Sequence, residues 1–165
     1  MSRIRTILAL AAAVVAVALV APAGASTGAR PDANIVETAV AAGKFKTLTS
    51  LVKHAGLAKT LQGKGPYTVF APTDAAFAKV PKATLDALTE DKAKLRSVLL
   101  YHVAKGRLTA RKVVKRESVK TLNGQRVRIR VRNGKVFVGG ARVTTADVAA
   151  SNGVIHVINK VLIPR

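Results

Sequence analysis

Four arginines at alternate positions, Arg126, Arg128, Arg130 and Arg132, are the side chains whose spacing points most directly to chemistry. Val127, Ile129 and Val131 fill the gaps, so a β-strand here sends every guanidinium to one face and the apolar side chains to the other. At two-residue steps the charges stand about 6.6–6.8 Å apart. Asn133-Gly134 follows, the strongest short hairpin signal available. A two-residue loop there pairs Arg132 with Lys135, Val131 with Val136 and Arg130 with Phe137. Lys135 then joins the cationic face directly opposite Arg132, where like charges destabilise a strand pair. Phe137 offers its ring to Arg130 as a modest cation–π partner. Upstream, Thr109 reads as a helix N-cap, yet Arg111 and Lys112 occupy the first turn, the wrong sign for the helix dipole. The bland account is a solvated sheet face whose cations discourage edge-to-edge pairing. The functional account is a face that binds a polyanion, with retention that weakens as salt rises.

The histidines argue for less. Only His54, His102 and His156 are present, with no cysteine and no His-x-x-x-His pair to hold a metal. Each is expected to be structural, held through one ring nitrogen. A nucleophile–base pair needs a serine or threonine beside a histidine that an acid orients. Asp74 could meet His102 or His156 in the fold, but no serine stands in a Gly-x-Ser-x-Gly elbow. The sequence therefore predicts no enzyme, no cofactor and no metal site, a secreted hydrolase being the alternative in that class.

The elements that must position these residues follow from periodicity. Gly65-Pro66 opens a turn, Tyr67 to Phe70 reads as a short buried strand, and Pro72 ends it. Thr73 then caps a helix, with Asp74 in its first turn. Earlier, Asn34 and Glu37 have capping-box spacing, and Ile35, Ala39 and Ala42 recur at helical intervals up to Gly43. Phe45, Leu48, Leu51 and Val52 repeat the pattern to Gly56, and Leu57 and Leu61 mark one more turn. After Pro81, Leu85 and Leu88 suggest a short helix. Thr89-Glu90-Asp91 starts another, which carries Leu95, Val98, Leu99 and His102 and ends near Tyr101-His102-Val103. From Ser118 the period changes to two, with strands leading to Leu122, over 126–132 and 135–138, from Ala141 to Thr145, and from Val154 to Ile158. Val161-Leu162-Ile163 closes before Pro164. Helices followed by short antiparallel strands, with one early strand inserted, make an α+β chain.

The first part reads as an address. Met1 to Arg5 carries two arginines, Ile7 to Val20 is unbroken apolar sequence, and Ala21 to Ala25 is small residues with one proline. This is the pattern of a secretory signal peptide over 1–25, with cleavage after Ala23 or Ala25, and the apolar run falls short of the roughly 20 residues of a spanning helix. Residues 26–31 form a polar linker, and 32–165 a single domain. The net charge is +20; without Arg3 and Arg5 there remain 26 basic against 8 acidic side chains. Such an excess attracts polyanions and anionic surfaces. The expected location is secreted, extracellular or cell-wall associated, with no transmembrane anchor after cleavage.

Three stretches together resemble the fasciclin domain. Tyr67 to Phe77, YTVFAPTDAAF, is similar to its first signature; Leu100-Tyr101-His102 to its central tyrosine–histidine motif; and Ser151 to Pro164, SNGVIHVINKVLIP, to its closing signature. The resemblance implies a wedge of antiparallel β-sheets packed against several α-helices, and a secreted or surface-attached adhesion module. It also implies receptor contact through Tyr101 and His102, whereas the helical stripe through Leu95 and Leu99 argues that both are core. The closing signature often carries aspartate where this chain has Asn159. The arginine face is not a family requirement. The expected partner is a cell-surface or matrix component, such as an anionic polysaccharide or wall polymer, met through Arg126, Arg128, Arg130, Arg132 and Lys135. A non-adhesive, wall-associated polyanion-binding protein is the alternative. Nucleic acid fits an exported chain poorly, and two tyrosines and four phenylalanines leave few rings for base stacking.

Overall fold

The computed structural model describes residues 32–164. The predicted signal peptide and linker lie outside the described residues.

Helices come first, as the 3.6-residue periodicity requires: α1 (Ile35–Ala42), α2 (Lys46–His54) and α3 (Ala58–Gln62). Strand β1 (Tyr67–Pro72) follows, then α4 (Asp74–Ala78), α5 (Lys82–Glu90) and α6 (Lys92–Tyr101). The remainder is mostly strand: β2 (Val103–Lys105), a short α7 (Ala110–Val113), β3 (Ser118–Lys120), β4 (Arg126–Arg132), β5 (Lys135–Val138), β6 (Ala141–Ala150) and β7 (Gly153–Ile158). The seven strands lie in the order β2-β1-β7-β6-β5-β4-β3. All neighbouring pairs are antiparallel except β1 and β7, which run parallel with Phe70 opposite His156. A bridge between Ala104 and Thr121 brings the two ends of the order together, so the sheet curls round upon itself.

That closure gives the sheet two apolar sides. Phe70, Val127, Ile129, Val138 and Ile158 fill the inside of the curl. Val69, Ala71, Ile155 and Val157 point the other way, into the packing of α1, α2 and α6 through Ile35, Leu48, Leu95 and Leu99. Every residue of β7 is buried, the run expected of a strand covered on both faces. Gly153 stands opposite Tyr67 in the parallel ladder, where a Cβ would run into the Tyr67 carbonyl oxygen. The α+β expectation, with antiparallel strands against helices, is what the chain adopts.

The caps show where local chemistry decides. Asn34 and Glu37 form the capping box their spacing predicts, and the Thr73 hydroxyl accepts the Ala76 N–H. Thr89 does not start a helix: its hydroxyl donates to the Asp86 carbonyl, and α5 continues through Glu90. Asp91 is the N-cap of α6 instead, accepting from the Ala93 and Lys94 N–H groups. Aspartate outranks threonine as an N-cap acceptor, and its negative charge suits the helix dipole. Ala42, expected on the buried stripe of α1, is exposed, while Val36 and Thr38 are buried there. Strand β6 passes the expected end at Thr145 and reaches Ala150 through two register shifts. Val161-Leu162-Ile163 follows β7 without joining the sheet.

Candidate functional site

The hairpin forms in the register that Asn133-Gly134 dictates, with Arg132 opposite Lys135, Val131 opposite Val136 and Arg130 opposite Phe137. Asn133 and Gly134 both take positive φ, as the two-residue turn demands. Val127 and Ile129 are buried, and Arg126, Arg128, Arg130 and Arg132 are all exposed on the other face. Neighbouring strands extend the same face. Lys120 on β3 lies opposite Arg126, and Arg142 on β6 lies opposite Phe137. The half-buried Phe137 ring thus sits in register between Arg130 and Arg142. Among the described residues the one ion pair is Lys94 with Asp91, on α6, so no described acid forms an ion pair with these cations. Strand β4 pairs with β3 over Arg126–Arg128 and with β5 over Ile129–Arg132. Each half thus has a ladder partner on one side only, so cations that discourage edge-to-edge pairing are compatible with this register.

These arginines border a groove of about 700 Å³. Tyr101, Phe137, Leu162 and Ile163 supply its apolar part, and Ile163 is 52% exposed. Gly139 lets the β5–β6 turn close against this segment: its φ is 57°, and a Cβ would come within 2.9 Å of both Leu162 and Val127. One charged wall and one apolar wall meet in this groove.

Tyr101 and His102 are adjacent but have separate fates. Tyr101 is half-buried, packs against the cluster inside the curl and still lines the groove. The expectation that it is wholly core is corrected: as the last residue of α6, its ring lies where the helix meets the arginine face. His102 is buried. Its Nδ1 donates to the Val98 carbonyl at 2.8 Å, and its Nε2 accepts the Leu162 N–H at 2.9 Å. That pair of bonds fixes a neutral tautomer, and burial pushes the ring down to about 4, against the opposing pull of the Val98 carbonyl. His102 ties the groove's apolar segment to α6 and has no exposed surface for a receptor.

The remaining candidates are also engaged. His156 stacks on Phe70 with ring centroids 5.7 Å apart, donates from Nε2 to the Leu108 carbonyl and accepts the Asp147 N–H at Nδ1. Burial pushes its ring below the ordinary value, opposed by Leu108 and by the Asp147 carboxylate. Both buried histidines thus use two ring nitrogens, not the expected one. His54 is exposed and reaches only the Thr89 carbonyl. Asp74 meets neither His102 nor His156: its carboxylate accepts the Lys46 and Thr47 N–H groups and caps α2. The Thr47 N–H, as the largest cause, holds it below the usual carboxylate range. Thr109 occupies the N-cap of α7 without a side-chain bond. Asp147 reaches across from β6 to accept the Ala110 N–H at 2.7 Å, so the acid missing from the first turn arrives from another strand. Among the described residues no three metal-ligating side chains gather. Asn159 accepts the Arg142 N–H through Oδ1, which gives this amide a place in closing β6 against β7.

Sequence reasoning passed over Asn152. Its side chain is buried, accepts the Ile35 N–H and donates to the Leu61 and Gly63 carbonyls. One amide joins three segments. Its only sequence signal is the Asn-Gly pair, which reads equally as an ordinary turn.

The sequence profile described as the Fasciclin domain matches residues 43–164. Protein sll1483 of Synechocystis sp. is 48% identical over 132 residues, covering 79% of this chain and 73% of that protein. Transforming growth factor-beta-induced protein ig-h3 of Sus scrofa is 34% identical over 134 residues, but the match spans 81% of this chain and only 20% of that longer protein. A FAS1 domain pair from the insect cell adhesion molecule Fasciclin I superposes with a TM-score of 0.64 at 19% identity, over 80% of this chain and 51% of that one. Among the described residues no helix is long and apolar enough to cross a membrane. With the profile covering most of its length and a relative 48% identical over 132 residues, this chain belongs to the fasciclin domain family.

Proposed function

We propose that this fasciclin domain is an extracellular binding module that contacts an anionic cell-surface, matrix or wall polymer through the face of β4. The observation that carries the reading is the row of Arg126, Arg128, Arg130 and Arg132, none in an ion pair among the described residues, extended by Lys135 across the hairpin and Lys120 on β3. Keeping Arg132 opposite Lys135 and Arg126 opposite Lys120 costs stability. An anionic ligand laid along the row removes that repulsion. The family relationship supports an adhesive role, and the residues predicted for binding divide accordingly: the arginines and Lys135 in contact, Tyr101 beside them, His102 beneath as support. No catalytic step is proposed for the buried histidines, whose ring nitrogens are occupied by backbone partners.

The test is elution from immobilised heparin over a salt gradient, beside adhesion of the secreted protein to intact cells. Arg128→Ser/Arg130→Ser/Arg132→Ser removes three phosphate- or sulfate-type contacts and should shift elution to clearly lower salt, because each lost contact flattens the salt dependence. Unchanged elution salt removes the arginine row from the function. Heparin retention without cell adhesion selects the non-adhesive, wall-associated alternative.

A further inference from the structure

Resting on the polyanion reading of the same face, we infer that the groove is built for an anionic polysaccharide, with sugar rings seated on Tyr101 and Phe137 while the arginines hold the acid groups. A bare polyanion needs only cations. This groove pairs its cationic wall with Tyr101, Phe137, Leu162 and Ile163, and at about 700 Å³ it is far larger than a single anion requires. That volume lies inside the roughly 300–1,000 Å³ typical of ligand sites. From Arg126 to Arg132 the row is about 20 Å long at some 3.3–3.4 Å per residue, which suits several linked residues of a chain molecule. Pyranose rings present flat C–H faces that pack on aromatic rings, and their acid groups project from the edges. The groove offers both surfaces side by side.

The two rings are held in different ways, and both suit a platform. Phe137 is fixed by register between Arg130 and Arg142, so a ring lying on it can be gripped from either side. Tyr101 is the last residue of α6, and the next residue, the C-cap His102, is locked to Val98 and to Leu162. The same two bonds therefore set the position of Tyr101 and of the apolar segment beside it. An acidic chain lacking ring faces, such as polyphosphate, would use the arginines and leave Tyr101 idle.

The experiment compares the full secreted protein against two probes of matched charge, a galacturonate oligosaccharide and an inorganic polyphosphate. Tyr101→Ala is expected to weaken the oligosaccharide about three- to tenfold, the range an aromatic contact supplies, and to leave polyphosphate unchanged. Tyr101→Phe should bind like the parent. Because Tyr101 also packs inward, saturation transfer in the unmodified protein provides a second readout: irradiating aromatic ring protons should transfer to sugar C–H protons. Loss of binding to both probes only in the triple arginine variant, with no effect of Tyr101→Ala and no transfer, overturns this inference while the polyanion reading stands. Equal weakening of both probes by Tyr101→Ala, without transfer, assigns the residue a purely structural role and overturns it as well. Tighter binding of a charge-matched deoxythymidine oligomer than of the oligosaccharide would also reject the sugar assignment. If neither probe binds the parent protein, both readings fall together.

Discussion

His102 shows how one buried ring makes stability depend on pH. Its partners are the Val98 carbonyl and the Leu162 N–H, with no charged side chain among them. Burial holds the folded ring neutral down to about 4 from an ordinary value of 6.5. Between those values the unfolded chain binds the extra proton, so stability is complete above about pH 6.5 and falls as pH drops toward about 4. The full loss corresponds to roughly 3 kcal/mol. His156, faced by Asp147, is shifted in the same direction and adds to it. Denaturant titrations at neutral pH and near pH 4.5 should show this fall in the parent protein. His102→Gln should be less stable at neutral pH but lose less on acidification; an equally steep loss would place the effect elsewhere. The burial of His102 was legible in its place on the Leu95–Leu99 stripe. The exposure of His54 was not, because no single residue reports which side of α2 faces the core near its end.

At the scale of elements, the hairpin was the most legible part, since a two-residue Asn-Gly turn leaves one register for the flanking strands. Strand β6 was not, because its continuity depends on Asp147. That residue takes φ of 56°, accepts the Ala110 N–H through its carboxylate and donates its own N–H to His156. Strand irregularity, α7 cap and buried histidine meet at one position. Asp147→Ala loses the cap and keeps a backbone conformation that alanine resists, so it should destabilise by about 1–3 kcal/mol. Asp147→Asn retains an acceptor and tolerates positive φ, and should cost well under half as much. Thermal unfolding of the two variants makes the comparison; equal losses would mean that the charge, not the bond, holds α7. Strand β2 went unread because three residues are too few for a period of two to register, and they follow directly on a helix.

For the whole molecule, basic side chains far outnumber the eight acids, and four of the arginines stand together on β4. Arg128→Ser/Arg130→Ser/Arg132→Ser should therefore unfold at the same temperature as the parent or slightly higher, with the gain largest at low salt. All three side chains are exposed, so a clear loss of stability would mean that they pack against the fold and are not merely displayed. Composition, alternation and turn residues determined that this chain forms helices followed by strands, and that four arginines share one strand face. They could do so because propensity and period act over a few neighbouring residues. The parallel placement of β1 beside β7, the three segments joined by Asn152, and the meeting of Tyr101 and Leu162 with the arginines were decided only by the tertiary structure. Each brings together residues far apart in sequence, and which distant surfaces meet depends on burying the whole apolar area at once.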